Sequence, residues 1–260
     1  MDSQLLIHEM VVPVSVERHG DWSIEIANDF GFCAEAHSVP LMTVEFFNAA
    51  SEYPIVFGET DEGVMPSAML GLRRDENRYL SDSGVWQARY IPAFVRRYPF
   101  VYSLSDDGRG FVLCVDESFQ HFNDKGRGEQ LFGRDKTPSA YLGRMLRFLE
   151  QYQVEFDRTR AFCDTLLDFG LLEPLAQESA LHASDGTSLD GLLIVNRDKA
   201  KALAADKLST LARSDEFGLL QLHLHSMRNI RHGQLRSNGE VAAIAMPASA
   251  TANDRPQATI

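Results

Sequence analysis

The sequence predicts an α+β fold, with a mainly antiparallel sheet in the N-terminal half and long helices in the C-terminal half. Residues 6–117 alternate short runs of β-forming residues with glycine-, asparagine- and aspartate-bearing turns. Residues 142–169 carry apolar side chains at helical spacing, and residues 198–236 are helical in composition. Strands gathered in one half and helices in the other are typical of α+β domains.

Several strands are predicted in the N-terminal half from runs of β-branched and aromatic residues. The turn His19-Gly20-Asp21 should join the first two strands, and Asp107-Gly108 is a preferred turn dipeptide for a later hairpin. The predicted strand segments are 6–16, 22–27, 55–59, 64–72 and the hairpin 103–117.

One short helix is predicted within residues 39–53, where the strand pattern is interrupted. Thr43 is its expected N-cap, and Pro54 should end it. Its apolar face is expected to carry Phe46, Phe47 and Ala50.

A strong helix start marks the C-terminal half. Thr137 is the expected N-cap with Pro138 at the first helical position, and Gly170 fits a C-cap. The apolar pattern between them fits one long helix or two helices broken near Gln153. A strand pair is predicted around Asp185-Gly186, and two further helices are predicted at 198–216 and 217–236.

The domain organisation predicted from these elements is one domain over residues 1–236, because no linker composition interrupts them. Residues 237–260 are rich in alanine, serine, proline and asparagine without periodicity, which predicts a disordered tail.

Composition argues against several classes of function. The net charge is −12, and phosphate neutralisation needs clustered Lys and Arg, so a general nucleic-acid or anionic-membrane binder is not expected. No apolar run approaches ~18 residues, so no membrane span is expected. The N-terminus does not have the pattern of a secretory signal. Cys33, Cys114 and Cys163 are far apart and favour buried reduced thiols, which suit the cytoplasm.

The common catalytic motifs are absent from the sequence. It contains no GxGxxG, no GxxxxGK[ST] and no GxSxG, which argues against a dinucleotide site, a P-loop and an α/β-hydrolase. The sequence therefore leaves the existence of enzymatic activity open, favours a protein that is not an enzyme, and names no cofactor.

Two groups of residues nevertheless have chemically suggestive spacing. His19 and Asp21 have the His-x-Asp spacing of a non-haem iron site, which His223 or His225 would complete. The alternative is a plain turn at residues 19–21 and an amphipathic helix in which His223 and His225 diverge by about 200°. Glu35, His37 and Glu45 could likewise form an acid/base cluster or lie in a solvent-facing loop.

The most distinctive stretch is YIPAFVRRYPF, residues 90–100. Aromatic side chains beside arginines can stack on planar ligands or bind a carboxylate. Alternatively, the aromatics fill the core and the arginines pair with acids. Pro92 and Pro99 favour an edge strand, with Arg96 and Arg97 on different sides. The residues of the predicted ligand- or partner-binding face are Trp86, Arg89, Tyr90, Arg96, Arg97 and Tyr98.

The chain resembles the bacterial SapC family in several blocks. These are HSVPLMTVEFFNAASEYPIVF (37–57), MLGLRRDENRYLSDSGVWQARYIPAFVRRYPF (69–100), DGTSLDGLLIV (185–195) and LHLHSMRNI (222–230). The resemblance covers most of residues 10–236 and supplies no catalytic residues. Its pattern positions in this sequence are Pro40, Glu45, Tyr53, Pro54, Trp86, Tyr90, Pro92, Arg96, Arg97, Tyr98, Pro99 and Phe100.

The resemblance implies an accessory role. Similar proteins occur near TonB-dependent receptors and near halogenase-like and oxygenase-like proteins, and the family name refers to surface layers. Three functions are therefore open. The favoured one is a binding protein that holds a small molecule, a peptide or a partner protein. The others are a non-haem iron oxygenase-like enzyme and a surface-layer or envelope component.

Overall fold

The computed structural model describes residues 6–60, 63–105, 110–175 and 191–232. It confirms the predicted α+β fold, with antiparallel sheets in the N-terminal half and a long helix followed by shorter ones in the C-terminal half. The turns predicted at Asp107-Gly108 and Asp185-Gly186 and the tail predicted at 237–260 lie outside the described residues. The single domain over residues 1–236 stays a prediction.

The strands and helices of the described residues follow one another in short elements around one long helix. The strands are β1 (Val11–Pro13), β2 (Ser23–Ile24), β3 (Ser38–Pro40), β4 (Ile55–Thr60), β5 (Gly63–Met69), β6 (Phe100–Leu104), β7 (Phe111–Asp116), β8 (Phe122–Asn123), β9 (Glu129–Gln130), β10 (Leu172–Pro174) and β11 (Leu192–Val195). The helices are α1 (Val16–His19), α2 (Phe46–Ala49), α3 (Ala93–Arg96), α4 (Ala140–Asp168), α5 (Arg197–Lys201), α6 (Ala205–Arg213), α7 (Glu216–Ser226) and α8 (Asn229–His232), with 3₁₀ turns at Gly31–Cys33 and Thr43–Glu45.

The largest sheet has the strand order β10-β11-β4-β5-β3. Its centre is the β4–β5 hairpin, in which Ile55 lies opposite Ala68 and Thr60 opposite Gly63. Helix α7 is attached to this sheet by two side chains. His223 Nε2 accepts the Val195 N–H at 3.0 Å, and Ser226 Oγ accepts the Ile55 N–H at 3.0 Å.

Helix α4 connects the two hydrophobic cores of the molecule. One core contains Leu142 and Leu149 together with residues of the β1-β7-β6 sheet. The other contains Phe156 and Phe162 with residues of the five-stranded sheet. Among the described residues, no helix is both long and apolar enough to cross a membrane.

The predicted pairing at the N-terminus is wrong. Segments 6–16 and 22–27 do not form a hairpin, since β1 pairs with β7 and β2 pairs with both β8 and β9. Ser15 caps a single helical turn by accepting the Arg18 N–H at 3.3 Å. This turn redirects the chain between the two strands and prevents a direct return.

The short helix in residues 39–53 is confirmed, but its details differ from the prediction. Phe46 and Ala50 are buried as expected, while Phe47 is 80% exposed. Residues four apart share a helix face, whereas the next residue points about 100° away. Thr43 lies inside the preceding 3₁₀ turn, and its N–H donates to Thr159 Oγ1 at 2.9 Å.

The long helix is continuous past Gln153, so the one-helix alternative is the observed one. Its N-cap is Ser139, whose Oγ accepts the Leu142 N–H at 3.2 Å. The predicted cap Thr137 instead donates its hydroxyl to Asp135 at 2.8 Å. Gly170 follows the helix at φ 67°, as predicted for a C-terminal glycine.

Candidate functional site

The stretch YIPAFVRRYPF does not form the predicted edge strand. Residues Ala93–Arg96 make one helical turn, and a strand begins only at Phe100. The Pro92 carbonyl accepts the N–H groups of Val95 and Arg96, each at 3.0 Å. A carboxylate oxygen of Glu45 accepts the Ala93 N–H at 2.7 Å and so satisfies a donor at the start of the turn.

Glu45 is the centre of this region. It is 3% exposed and accepts three hydrogen bonds, from the Met42 N–H at 2.8 Å, the Ala93 N–H at 2.7 Å and the Tyr90 hydroxyl at 2.7 Å. Burial raises the pKa of Glu45, and these donors oppose the rise because they stabilise its charged form. The carboxylate therefore links the 3₁₀ turn before α2 to the Tyr90–Ala93 segment.

Trp86 extends the same region through hydrogen bonds. Its indole N–H donates to the Tyr53 hydroxyl at 2.9 Å, and that hydroxyl donates to the Tyr90 carbonyl. Trp86 is 7% exposed, and its ring is stacked with that of Tyr79 at 6.4 Å. We call Glu45, Tyr53, Trp86 and Tyr90 the Glu45–Trp86 network. Trp86 therefore belongs to this interior scaffold, since its indole N–H is used by Tyr53 and little of its ring is exposed.

Arg96 lies at the exposed edge of the network. Its Nε donates to the Ile91 carbonyl at 2.9 Å, and an Nη lies 3.5 Å from the Tyr90 hydroxyl. The guanidinium carbon is 5.8 Å from the Tyr90 ring centroid and 5.4 Å from the Phe148 centroid. We call Tyr90, Arg96 and Phe148 the Arg96 corner. It places an exposed cation against two aromatic rings.

Arg97 points the other way, as predicted. It is 2% exposed, and its guanidinium carbon lies 4.3 Å from the Phe94 centroid and 4.9 Å from the Tyr152 centroid. Tyr152 follows Phe148 by four residues, so the two arginines pack on successive turns of α4. Arg97 therefore contributes to the interior.

The other two residues of the predicted face lie apart from this corner. Tyr98 stacks on Phe32 with centroids 4.0 Å apart, and its hydroxyl donates to Asp116 at 3.3 Å. Arg89 is exposed, and its backbone N–H donates to Glu52 at 2.7 Å. Of the six predicted residues, the structure brings Tyr90 and Arg96 together at the surface. The sequence analysis missed Phe148, although its spacing of four from Tyr152 was a usable signal.

His19 and Asp21, the first half of the predicted iron site, bond to other residues of the chain. His19 is buried; its Nδ1 accepts the Ser15 N–H at 3.1 Å, and its Nε2 lies 3.0 Å from Glu117. Asp21 is exposed and pairs with Lys136 at 3.2 Å. The two side chains therefore have separate partners.

The second half lies on α7. His223 is fully buried, burial lowers its pKa to about 4, and its Nε2 is occupied by Val195. His225 is exposed on another side of the helix. Within the described residues, no three His, Cys, Asp or Glu side chains come together in an arrangement that could hold a metal ion. Glu45 is likewise bonded to Met42, Tyr90 and Ala93 and does not form a cluster with Glu35 and His37.

Comparison with known proteins identifies the family. No curated protein and no solved structure matches this chain. The family model described as SapC matches residues 14–232, which contain the Glu45–Trp86 network and the Arg96 corner. Since this match covers most of the sequence, the chain belongs to the SapC family.

Proposed function

We propose that this chain is a non-catalytic binding protein whose Arg96 corner holds an anionic group, such as the carboxylate of a peptide, a small acid or a partner protein. The observation that carries the proposal is the exposed Arg96 guanidinium lying between the rings of Tyr90 and Phe148. Arginine combines aromatic stacking with the donor geometry that matches a carboxylate.

Rigid support for Arg96 favours binding. Its Nε is fixed by the Ile91 carbonyl, and Tyr90 beneath it is held by Glu45 and Tyr53. A side chain that is already ordered loses less conformational entropy when a ligand arrives. Glu45 and Tyr53, which hold Tyr90 from the interior, therefore lower the entropic cost of binding at the corner without touching the ligand.

The biological setting belongs to the same proposal. An accessory role in uptake or peptide handling, which the family resemblance implies, would use a site for acidic groups. A cytoplasmic location is proposed with it, because Cys33, Cys114 and Cys163 are buried free thiols that suit a reducing compartment. Fractionation of the producing cells tests that location directly.

The binding experiment compares a carboxylate with its neutral isostere. Hippurate and hippuramide share an aromatic ring and an amide, and only hippurate carries a negative charge. Titration calorimetry is expected to show that hippurate binds more tightly and that Arg96→Ala weakens it about tenfold. Arg96→Lys should recover only part of the loss, since lysine cannot bind bidentately.

Arg89→Ala is the matched control. It removes another exposed arginine from the same segment and changes the net charge equally, but it lies outside the corner. If Arg89→Ala and Arg96→Ala weaken hippurate equally, the effect is one of net charge and the proposed site is wrong. Equal affinity for hippurate and hippuramide would also contradict it. Native mass spectrometry of protein purified without added ligand would independently show a co-purifying acid or a metal.

A further inference from the structure

Strand β6 is an unprotected edge of the β1-β7-β6 sheet. In the part of the chain that the structure describes, this sheet and the five-stranded sheet have four edge strands. Three of them contain a proline, namely Pro13 in β1, Pro174 in β10 and Pro40 in β3. Prolines and charged residues are common means of keeping an edge strand from pairing with another chain. Strand β6 has the sequence FVYSL and contains neither, so it is the edge most open to an additional strand.

The register of the β6–β7 ladder shows which main-chain groups of β6 point outward. Just before β6, the Pro99 carbonyl accepts the Asp116 N–H at 2.9 Å and so points toward β7. Main-chain groups alternate in direction along an antiparallel strand, so the N–H and C=O groups of Tyr102 and Leu104 point away from β7. These groups have no hydrogen-bond partner among the residues that the structure describes. They are therefore available to a further strand.

The side chains at this edge are apolar and uncharged. Leu104 is 66% exposed, and Phe111, which lies opposite it on β7, is 49% exposed. The Phe111 ring stacks on that of Tyr102 with centroids 5.7 Å apart, so the three side chains share one face of the sheet. Strand β6 and residues 111–115 carry no charged side chain. Since the chain has a net charge of −12, two copies repel each other in general, and this edge lets them approach without placing like charges opposite each other.

We infer that β6 is a dimerisation edge, independent of the proposed function, at which two copies of this chain pair their β6 strands antiparallel. A twofold axis at Ser103 makes the contact self-complementary, because Tyr102 of each copy then lies opposite Leu104 of the other. These are the residues whose N–H and C=O groups point outward, so each such pair exchanges both of its N–H···O bonds. On the apolar face, Leu104 lies between Phe111 of its own copy and Tyr102 of the other. The two sheets become one, with the strand order β1-β7-β6-β6-β7-β1.

A second copy fits this edge better than a strand of an unrelated protein. An unrelated strand must bring its own apolar side chains in the matching register, whereas the second copy supplies Tyr102 and Leu104 by symmetry. The contact is small, since it consists of one pair of short strands, and interfaces below about 1,200 Å² in total area are weak and transient. We therefore expect a dimer with a Kd of roughly 10–100 µM.

The test measures self-association of the full chain by sedimentation equilibrium over about 5–500 µM. Ser103 is exposed, so its substitution should leave the fold intact. Ser103→Lys and Ser103→Glu each place two like charges directly opposite each other at the twofold axis, and each should weaken the dimer at least about fivefold. An equimolar mixture of the two variants places opposite charges there and should associate at least about fivefold more tightly than either variant alone.

Ser209→Lys and Ser209→Glu are the matched controls, because Ser209 is an exposed serine on α6 and its substitutions change the net charge equally. Neither control nor their mixture should change the affinity. Leu104→Ser, which removes apolar surface without adding charge, is a further variant for the case in which the Ser103 variants do not fold, and it should weaken the dimer about tenfold. A chain that stays monomeric throughout the concentration range overturns the inference. A dimer that the folded variants leave unchanged, or a mixture that associates no better than its components, also overturns it.

Discussion

The Glu45–Trp86 network and a cavity of about 460 Å³ beside Gly58, on the five-stranded sheet, differ in how their polar groups are used. In the network, Glu45 is buried and accepts three hydrogen bonds, and the Tyr53 hydroxyl bridges Trp86 and Tyr90. In the cavity, the hydroxyls of Ser38 and Ser67 have no partner among the described residues. The difference teaches that much of the distinctive sequence of this chain builds scaffold whose polar groups already have partners, whereas the cavity is lined by residues without a sequence signature.

The largest expected loss of stability follows the substitution of Glu45, the residue at the centre of the network. Glu45→Ala leaves the Met42 and Ala93 N–H groups and the Tyr90 hydroxyl without their acceptor. Each buried unsatisfied donor costs about 1–3 kcal/mol, so the free energy of unfolding should fall by at least about 3 kcal/mol. Urea denaturation followed by tryptophan fluorescence measures it, because Trp86 belongs to the same network.

Two companion variants show whether this loss comes from the hydrogen bonds. Glu45→Gln retains one acceptor oxygen and should cost less than Glu45→Ala. Glu35→Ala removes an exposed carboxylate and should change stability by less than about 0.5 kcal/mol. Similar losses from Glu45→Ala and Glu35→Ala would contradict the central role of Glu45.

The network also shows which parts of the structure could be predicted from the sequence and which could not. The spacing of apolar residues predicted α4, and glycine chemistry predicted its end at Gly170, because these signals are local. The turn at Ala93 depends on a carboxylate 48 residues earlier, so no local pattern could reveal it. Residues 90–100 were therefore assigned to a strand by their proline and aromatic content, and the assignment was wrong.

The candidate sites were partly predictable for the same reason. Tyr90 and Arg96 could be singled out because they lie in one distinctive stretch, while Trp86 and Arg97, which were predicted with them, are buried in the structure. The cavity had no sequence signal, since its lining combines single residues from several strands and from α4. Sites assembled from distant residues are recognised by geometry rather than by spacing.

The second-largest expected loss of stability occurs when the pH is lowered, and it comes from His223. Burial lowers the pKa of His223 to about 4, whereas an unfolded chain binds that proton near pH 6.5. The unfolded state therefore holds more protons between these values, and stability falls as the pH falls from about 6.5 to 4. The loss from this one group is roughly 2–3 kcal/mol.

Comparison of two proteins isolates the His223 contribution. His223→Gln retains an acceptor for the Val195 N–H and removes the titrating ring. The difference in unfolding free energy between wild type and His223→Gln should therefore shrink as the pH falls. His8 shifts in the same direction and Glu45 in the opposite one, but both remain in the variant and cancel in the difference. A pH-independent difference would show that His223 is not buried in its neutral form.

The adjacent arginines provide the next comparison. Arg97→Ala removes a buried guanidinium and its stem from between Phe94 and Tyr152, and should cost about 2–3 kcal/mol of unfolding free energy. Arg96→Ala acts at the surface and should cost less than about 1 kcal/mol while weakening hippurate binding. Paired urea titrations separate the two roles, and a larger stability loss for Arg96→Ala would reverse the assignment of corner and interior.

The smallest expected change in the free energy of unfolding is that of Gly58→Val in the cavity wall. The sign of this change is more informative than its size. Gly58→Val replaces a strand glycine by a β-branched residue with no atom within 4 Å of the new Cβ. Stability should therefore rise by about 0.5–1 kcal/mol, while Gly110→Val, which lies outside a regular strand, gains no such benefit. Thermal unfolding of both variants distinguishes the outcomes. A clear loss of stability in Gly58→Val would mean that the fold needs the open space at this position. A gain would show that the fold does not require a glycine at this position, in contrast to the Glu45–Trp86 network, where each partner is expected to be needed for stability.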